Sequence, residues 1–485
     1  MSDNYSRQLQ MNFENYSNQF QKQLNSGNFS ILFEFNTPDI KLDLNDSANR
    51  VKDAVSAVFA EGDLSTGVSF FQNYGNVQSH NPVEFGRILV PEEERSRSVI
   101  YLSGRGNSLN DMYENIELAM NEGFNNIIAA SGCSMFNDSV RSTRKKQFTE
   151  SIHLLNKVKN SSLEFKKKIC IGTTFNPFKY NLADCTNQYF KLVKKINHGA
   201  QFIVTQFGWD MYKMQELRWY LTNRGFYYPS LAGILFLNPS RVEKIIAGEY
   251  RGVHISSDFR KVLTNELRFS TTQFEASQWR RLQLQVAGAK LLGYSGVQIS
   301  GLDTPYKINV ALRKIKDAFA EFNHFQYWRS AYEEYLGRVE MAPYPQRFYI
   351  FEKLLDDAHL TKQPTISDGN IPECTKREKI HYYLAKFLFG KSQGRRIATE
   401  HFISKKLFAS CRSCKSCRLP QFHYLCPEIC PKGFANGPCG GTKVDGKCEV
   451  ANRECVHIKR LKLANWRGNV NDLEEIYLQS GKVRK

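Results

Sequence analysis

The chain has 485 residues, of which 41% are hydrophobic and 24% are charged, and its formal net charge is +18. This length suggests two or three domains, and the composition is that of an ordinary globular protein. No run of 18 apolar residues occurs, which argues against a transmembrane helix. Residues 1–27 lack the apolar core of a secretory signal, so we expect a cytoplasmic protein.

The positive charge favours an anionic partner: a dinucleotide, a multiply carboxylated substrate or nucleic acid. The alternative is a lysine-rich surface in contact with solvent only. Because the basic residues are spread along the whole chain, nucleic acid is the least favoured of these partners.

Strand-like and helix-like segments alternate from Ser30 to about Asp303. Eight segments read as strands: 31–35, 67–71, 98–102, 126–130, 169–173, 202–206, 233–237 and 296–299. Amphipathic stretches such as 112–121 separate most of them. Eight such units in about 270 residues predict a closed (β/α)8 barrel. The alternative is an open doubly wound sheet, but no GxGxxG motif follows the first strand.

Composition divides the chain into four regions. These are a tail (1–28), the barrel (29–325), a helical connector (326–405) and a cysteine-rich region (406–485). The connector has helical spacing in 327–335 and 380–389. The last region is rich in Cys, Gly and Pro, so something other than an apolar core must hold it together.

Two polar residues lie at predicted strand ends, where barrels carry their functional groups. Glu34 lies near the end of the first strand, and burial in the barrel mouth would raise its pKa and suit it to general acid catalysis. Gln206 ends the sixth strand, and its amide can both donate to and accept from a heterocycle. The alternatives are an exposed carboxylate and a loop amide. Asp210 is predicted to cap a helix over 211–223.

Eight of the twelve cysteines lie close together near the C-terminus. They are Cys411, Cys414, Cys417, Cys426, Cys430, Cys439, Cys448 and Cys455. Inside a cell such a cluster favours metal binding over disulfides. Eight thiols predict two four-cysteine sites, holding either structural zinc or [4Fe-4S] clusters. The first three cysteines resemble the start of a ferredoxin run, but the eight-residue gap that follows departs from it.

Several motifs together resemble one enzyme family. Residues 194–207 (KKINHGAQFIVTQF) resemble the methylenetetrahydrofolate reductase signature of a basic helix end, Gly-Ala and a strand ending Thr-Gln-Phe. Residues 33–35 (FEF) and 233–235 (GIL) are similar to the family's first and seventh strands. Residues 430–441 (CPKGFANGPCGG) resemble the C-terminal cysteine domain of many such reductases, and also a small metal-bearing subunit that partners the reductase in acetogenic bacteria.

The resemblance implies reduction of 5,10-methylenetetrahydrofolate to 5-methyltetrahydrofolate, a step that feeds methionine biosynthesis. FAD would pass a hydride to the folate from a nicotinamide or other donor. Glu34 would protonate the folate and Gln206 would bind the pterin. The flavin contacts are expected from Cys133, Phe175, Lys179, Lys195 and Ala200.

Four strand ends depart from the family pattern. Ser131-Gly132-Cys133 stands where the family has Arg-Gly-Asp, and 175–179 (FNPFK) replaces Tyr-Pro-Glu-x-His. Phe71 and Tyr101 replace a Thr and a His. These departures predict an altered flavin pocket.

Three functions therefore stay open, because a shared fold does not fix the reaction. The chain is a flavin-dependent reductase, a flavin-independent folate one-carbon enzyme or methyltransferase-associated subunit, or a non-catalytic metal-cluster docking or electron-entry protein. The expected partners are a folate, an electron donor, a partner reductase or electron-transfer subunit, and further copies of the chain.

Overall fold

The computed structural model describes residues 18–60, 62, 64–72, 78–356, 364–389, 406, 409, 411 and 417–477. Eight parallel strands pair in sequence order and close into a barrel, which confirms the predicted fold. The strands are β1 (Ser30–Asn36), β2 (Ser65–Phe71), β3 (Val99–Ser103), β4 (Asn126–Ala130), β5 (Cys170–Phe175), β6 (Phe202–Thr205), β7 (Ser230–Leu235) and β8 (Gly296–Ser300).

Helices connect the strands and cover the barrel. They are α1 (Gln19–Ser26), α2 (Leu44–Phe59), α3 (Pro82–Leu89), α4 (Leu109–Asn121), α5 (Val140–Lys145), α6 (Ser151–Lys159), α7 (Leu163–Lys168), α8 (Leu182–Asn197), α9 (Met211–Asn223), α10 (Pro239–Ile246), α11 (Ser257–Phe269), α12 (Thr271–Leu291) and α13 (Pro305–Glu321). Asp210 accepts from the backbone N–H groups of Tyr212 and Lys213, so it caps α9 as predicted.

Alternate residues of each strand face opposite sides, because the side-chain period of a strand is two. Leu32, Ile128 and Val204 belong to one buried cluster inside the barrel. Their neighbours Phe33 and Ile127 belong to a second cluster, shared with the surrounding helices. The two faces of the strands therefore build two separate layers of core.

Helix α1 closes the amino-terminal end of the barrel. Phe20 and Leu24 belong to the interior cluster, and the Phe20 and Phe202 ring centroids lie 5.4 Å apart. The amide of Asn18 donates to Asn126 Oδ1 at 2.7 Å. Part of the segment that composition assigned to a tail is thus core structure, because its two apolar residues, four positions apart, share one helix face.

The connector and the C-terminal region add three further helices to the described part of the chain. They are α14 (Phe325–Leu336), α15 (Lys376–Phe389) and α16 (Val456–Arg467). The two connector helices lie where helical spacing predicted them. No helix in the described ranges is long and apolar enough to span a membrane.

Candidate functional site

Glu34 lies inside the carboxyl end of the barrel. It follows Leu32 by two residues and so faces the interior, where it is only 5% exposed. Desolvation raises its pKa from 4.5 to about 7, although the nearby Ser300 and Gln298 side chains act to lower it. The sequence-based expectation of a buried carboxyl with a raised pKa therefore agrees with its surroundings.

A short hydrogen-bond chain fixes the orientation of Glu34. The Tyr101 hydroxyl donates to Gln298 Oε1 at 2.8 Å, and Gln298 Nε2 donates to Glu34 Oε2 at 2.5 Å. Glu34 Oε1 is buried and has no partner with hydrogen-bond geometry, although Ser300 is close enough to lower the pKa. Because Oε2 already accepts from an amide, Oε1 is the oxygen left to carry a proton.

A loop after α10 crosses the barrel mouth above these residues. Burial and then the nearby Glu34 raise the pKa of Tyr250 to about 12. The next residue, Arg251, accepts at its carbonyl from Gln206 Nε2 at 3.4 Å. Gln206 Oε1 accepts from the backbone N–H of Phe207 at 2.9 Å. Two consecutive loop residues thus link the two predicted catalytic residues across the mouth.

The β4 side of the mouth is completed by the C-terminal region. Glu449 Oε1 accepts from the backbone N–H of Ser134 at 2.8 Å and from its hydroxyl. Lys432 Nζ lies 2.9 Å from Glu449 Oε2. Burial opposes ionisation of Glu449, but Lys432 and the hydrogen bonds hold its pKa at about 2. Beside this pair Cys133 is exposed, and the surrounding protein and Glu449 raise its pKa.

The loop after β5 also binds the C-terminal region. Asn176 Nδ2 donates to the carbonyls of Gly252 and Gly440, at 2.9 and 2.8 Å. Lys179 Nζ donates to the carbonyl of Thr442 at 2.8 Å. Gly252 has φ of +80°, and a Cβ there would lie 2.7 Å from the Gly440 oxygen. This close approach of two backbones requires glycine.

Helix α8 and Glu150, which precedes α6, provide the rest of the barrel surface on which the C-terminal region docks. Lys191 and Lys194 are almost fully buried, and their ammonium groups donate to backbone carbonyls of residues 436–438 at 3.0–3.3 Å. Glu150 accepts from the backbone N–H groups of Ala435 and Asn436, at 2.8 and 3.3 Å. The segment 434–442 therefore lies on a polar face of the barrel through backbone hydrogen bonds.

The structure separates the residues that the resemblance assigned to FAD. Of these, Cys133 is exposed at the mouth, and Lys179 is bound to Thr442. Lys195 is buried, its Nζ donates to the Thr174 carbonyl at 2.6 Å, and burial lowers its pKa to about 7. Phe175 packs against Tyr189, with ring centroids 5.0 Å apart.

Ala200 lies just before β6, at the opposite end of the barrel from the mouth. Three of the five residues therefore have protein partners in this structure and Ala200 is remote from the mouth, and FAD binding stays a prediction.

Four C-terminal cysteines lie near one another. Burial raises the pKa of Cys430, Cys439 and Cys455. The nearby Glu449 carboxylate adds to this effect at Cys439, while neighbouring thiols add to it at Cys430 and Cys455. Cys439 Sγ also donates to Glu449 Oε2 at 3.0 Å. In the ranges that the structure describes, no three His, Cys, Asp or Glu side chains form a group that could hold a metal ion.

Three of the four remaining cysteines of the predicted metal module lie within the described residues. Cys411 is buried, and Cys417 and Cys426 pack in one apolar cluster with Cys374. Cys414 lies outside the described residues. Metal binding by the module stays a prediction.

Sequence reasoning missed three residues that contact or lie near the predicted site. Gln298 sits within a strand and faces the barrel interior, and an amide among apolar strand residues is the signal that could have identified it. Tyr250 and Glu449 lie in loops distant in sequence, where no local pattern indicates a role.

Two family models match the chain. The model described as methylenetetrahydrofolate reductase matches residues 19–265, half of the chain. The model described as methylene-tetrahydrofolate reductase C terminal matches residues 392–481. A search of curated proteins found no match.

Solved structures give weaker similarities. An uncharacterized protein from Clostridium thermocellum, which binds two copies of 5-methyl-5,6,7,8-tetrahydrofolic acid, is 12% identical with a TM-score of 0.41, covering 61% of this chain and 97% of that one. Protein CitE from Mycobacterium tuberculosis, in complex with magnesium and acetate, is 11% identical with a TM-score of 0.29, covering 60% and 92%. At these TM-scores neither structure bears on function. On the family matches, the chain belongs to the methylenetetrahydrofolate reductase family.

Proposed function

We propose that the chain is an enzyme that binds a reduced folate in the barrel mouth and reduces 5,10-methylenetetrahydrofolate to 5-methyltetrahydrofolate. Family membership supports the substrate class. The observation that carries the proposal is Glu34, a buried carboxyl at the carboxyl end of β1 with a pKa of about 7 and one unpaired oxygen.

Glu34 acts as the general acid in this proposal. With a pKa raised to about 7, Glu34 is present in both protonation states near neutral pH, which is the condition that favours proton transfer there. Gln298 donates to Oε2, so the proton resides on Oε1. A folate nitrogen next to Oε1 receives this proton as its bond to the methylene carbon opens, and a hydride from the donor reaches that carbon. Glu34 then regains a proton from water.

Gln206 orients the substrate. Its amide makes one long hydrogen bond, 3.4 Å to the Arg251 carbonyl. A pterin edge can replace that weak partner without leaving a buried polar group unpaired. Tyr250 and Arg251 would have to shift together when substrate enters, because they are consecutive in the loop.

A flavin-independent folate enzyme is the second candidate. It is favoured by the contacts of Asn176 and Lys179, which bind the C-terminal region through Gly440 and Thr442. FAD would supply hydride transfer if bound, but the β5 residues expected to hold it have other partners. The steps proposed for this chain therefore involve its own side chains only.

We also propose that the cysteine-rich region holds two metal centres, either zinc or iron–sulfur clusters, for which thiolates are the usual ligands. The described cysteines do not form a closed donor set in this structure, so metal binding would draw them together. Metal binding would stabilise the fold of the segment 434–442, since such metal sites contribute directly to folding. Metal and sulfide analysis of the anaerobically purified chain distinguishes zinc from a cluster, and a metal-free folded protein would contradict the proposal.

The function is tested on the anaerobically purified full chain. We expect oxidation of a nicotinamide donor that depends on methylenetetrahydrofolate, assayed with and without added FAD. Turnover without bound or added flavin would support a flavin-independent enzyme. Turnover in proportion to the flavin content would support a flavin-dependent reductase. A chain that neither binds nor converts reduced folates would overturn both.

A further inference from the structure

Helix α15 in the connector carries apolar side chains on two faces. A capping box begins the helix, because Thr375 Oγ1 accepts from the backbone N–H of Glu378 and Glu378 Oε2 accepts from that of Thr375. One face packs in an apolar cluster with the C-terminal region, through Tyr382, Ala385 and Phe389. The ring centroids of Tyr382 and Trp466 lie 5.6 Å apart. The C-terminal region thus holds α15 in place by this face.

The other face of α15 is an exposed apolar stripe. Its five large side chains recur at intervals of three and four residues, and they are Ile380, Tyr383, Leu384, Phe387 and Leu388. Phe387 is 87% exposed and Ile380 is 60% exposed. If a fully exposed side chain of this size presents about 200 Å², the stripe exposes on the order of 600 Å². Contiguous apolar patches of this size are characteristic of interaction surfaces.

The stripe is complementary to itself about a two-fold axis near Leu384. In an antiparallel pair of α15 helices, Ile380 of one copy lies opposite Leu388 of the other, and Leu384 meets its own counterpart. Lys376 and Arg377 are exposed at the start of the same face. The pairing places them beside the carboxyl end of the partner helix, where the helix dipole is negative.

Charge on α15 also permits this approach. The helix contains one acidic residue, Glu378, which lies away from the stripe and pairs with Lys462 of the C-terminal region at 3.2 Å. The basic residues of the two copies lie at opposite ends of the antiparallel pair, which keeps the like charges apart.

We propose that this stripe is an interface between two copies of the chain, formed by antiparallel pairing of α15. A standard interface buries about 800 Å² on each partner, so the stripe supplies most of that area and its basic end supplies part of a polar rim. Helix α15 lies between the segments that the two family models match, so this interface is a feature of the connector. Because α15 packs on the C-terminal region, the pairing brings the C-terminal regions of two copies together.

Sedimentation equilibrium of the full chain tests the pairing, and we expect a reversible monomer–dimer equilibrium in the wild type. The variant L384E/F387E should raise the dissociation constant by at least about 100-fold, because each dimer loses four buried apolar side chains. The control L163E/F269E makes the same two changes at exposed positions of α7 and α11, and it should leave the constant unchanged. Thermal unfolding checks that both variants are folded.

The variant K376E/R377E tests the orientation of the two helices. Acidic residues in the first turn stabilise a helix, so this variant keeps α15 intact while it places negative charge beside the negative end of the partner helix. We expect the dissociation constant to rise about five-fold at low salt and by less at high salt.

Three results would overturn the inference. They are a wild type that stays monomeric at every concentration, a dimer that is as strong in L384E/F387E as in the wild type, and a dissociation constant that K376E/R377E leaves unchanged. A monomeric wild type in which L384E/F387E abolishes binding of an acidic amphipathic peptide would assign the stripe to a different protein, and it would also overturn the inference.

Discussion

The two sides of the barrel mouth differ in which part of the chain supplies their hydrogen-bond partners. On the β1 side, Glu34 contacts Gln298 and Ser300 of the barrel itself. On the β4–β5 side, Asn176 and Lys179 contact Gly440 and Thr442 of the C-terminal region. Glu34, a motif residue of the family, persists on the first side, whereas two of the four departures from its pattern, 131–133 and 175–179, lie on the second. Docking of the C-terminal region gives a physical reason for these two departures.

The largest effect is expected from Glu34→Gln on the β1 side. The amide has nearly the same shape but is not an acid, so folate turnover should fall by about 10²–10⁴-fold. Glu117→Gln, the same change at an exposed position of α4, should leave kcat unchanged. Thermal unfolding checks that both variants are folded. Full turnover by Glu34→Gln would show that this residue is not the general acid. The β1 side would then have no catalytic role to distinguish it from the β4–β5 side.

A smaller effect is expected on stability as the pH changes. The pKa of Glu34 is raised from 4.5 to about 7 on folding, so its contribution to stability is present below pH 4.5 and is lost as pH rises through 7. The loss amounts to about 3 kcal/mol. Denaturant unfolding between pH 4.5 and 8 should show this fall in the wild type and a flatter profile in Glu34→Gln. Parallel profiles would mean that Glu34 is solvated.

How far the sequence predicted the molecule also differs between the two sides. The strand pattern predicted both ends of β4 correctly, and it predicted the ends of β1 and β8 to within one residue. The β1 side was predictable because strand periodicity sets which side Glu34 faces. The C-terminal partners of Asn176 and Lys179 could not be predicted in this way, because they lie more than 260 residues away in a loop segment. Position within a motif suggested a cofactor contact for Lys179, whereas in the structure this side chain contacts the C-terminal region.

Docking on the β4–β5 side is tested by Asn176→Ala and Lys179→Ala. Lys179→Ala leaves the buried Thr442 carbonyl unpaired, which costs about 1–3 kcal/mol, whereas Asn176→Ala removes hydrogen bonds to the carbonyls of Gly252 and the exposed Gly440 and should cost less. We expect earlier unfolding and faster proteolysis within residues 438–445, with kcat on folate reduced much less than in Glu34→Gln. Lys157→Ala, which removes an exposed hydrogen bond to Asn110 and a cation–π contact with Tyr113 away from the C-terminal region, is the control. If a variant lost bound flavin while its proteolysis was unchanged, the substituted residue would instead contact the cofactor.

The smallest effect is expected from Cys133, which lies beside the docked Glu449 on the β4 side. Cys133 is exposed and forms no hydrogen bond with a described residue, so Cys133→Ser should change the free energy of unfolding by less than about 0.5 kcal/mol and leave turnover within two-fold. Cys133→Asp restores the family's carboxylate, but Glu449 already supplies a negative charge there, while Lys432 and Arg105 offset part of the repulsion. We therefore expect Cys133→Asp to alter flavin absorption or the pH profile only if a flavin binds on this side. A large loss of activity in Cys133→Ser would instead show that the thiol takes part in the reaction, and the β4 side would then be catalytic.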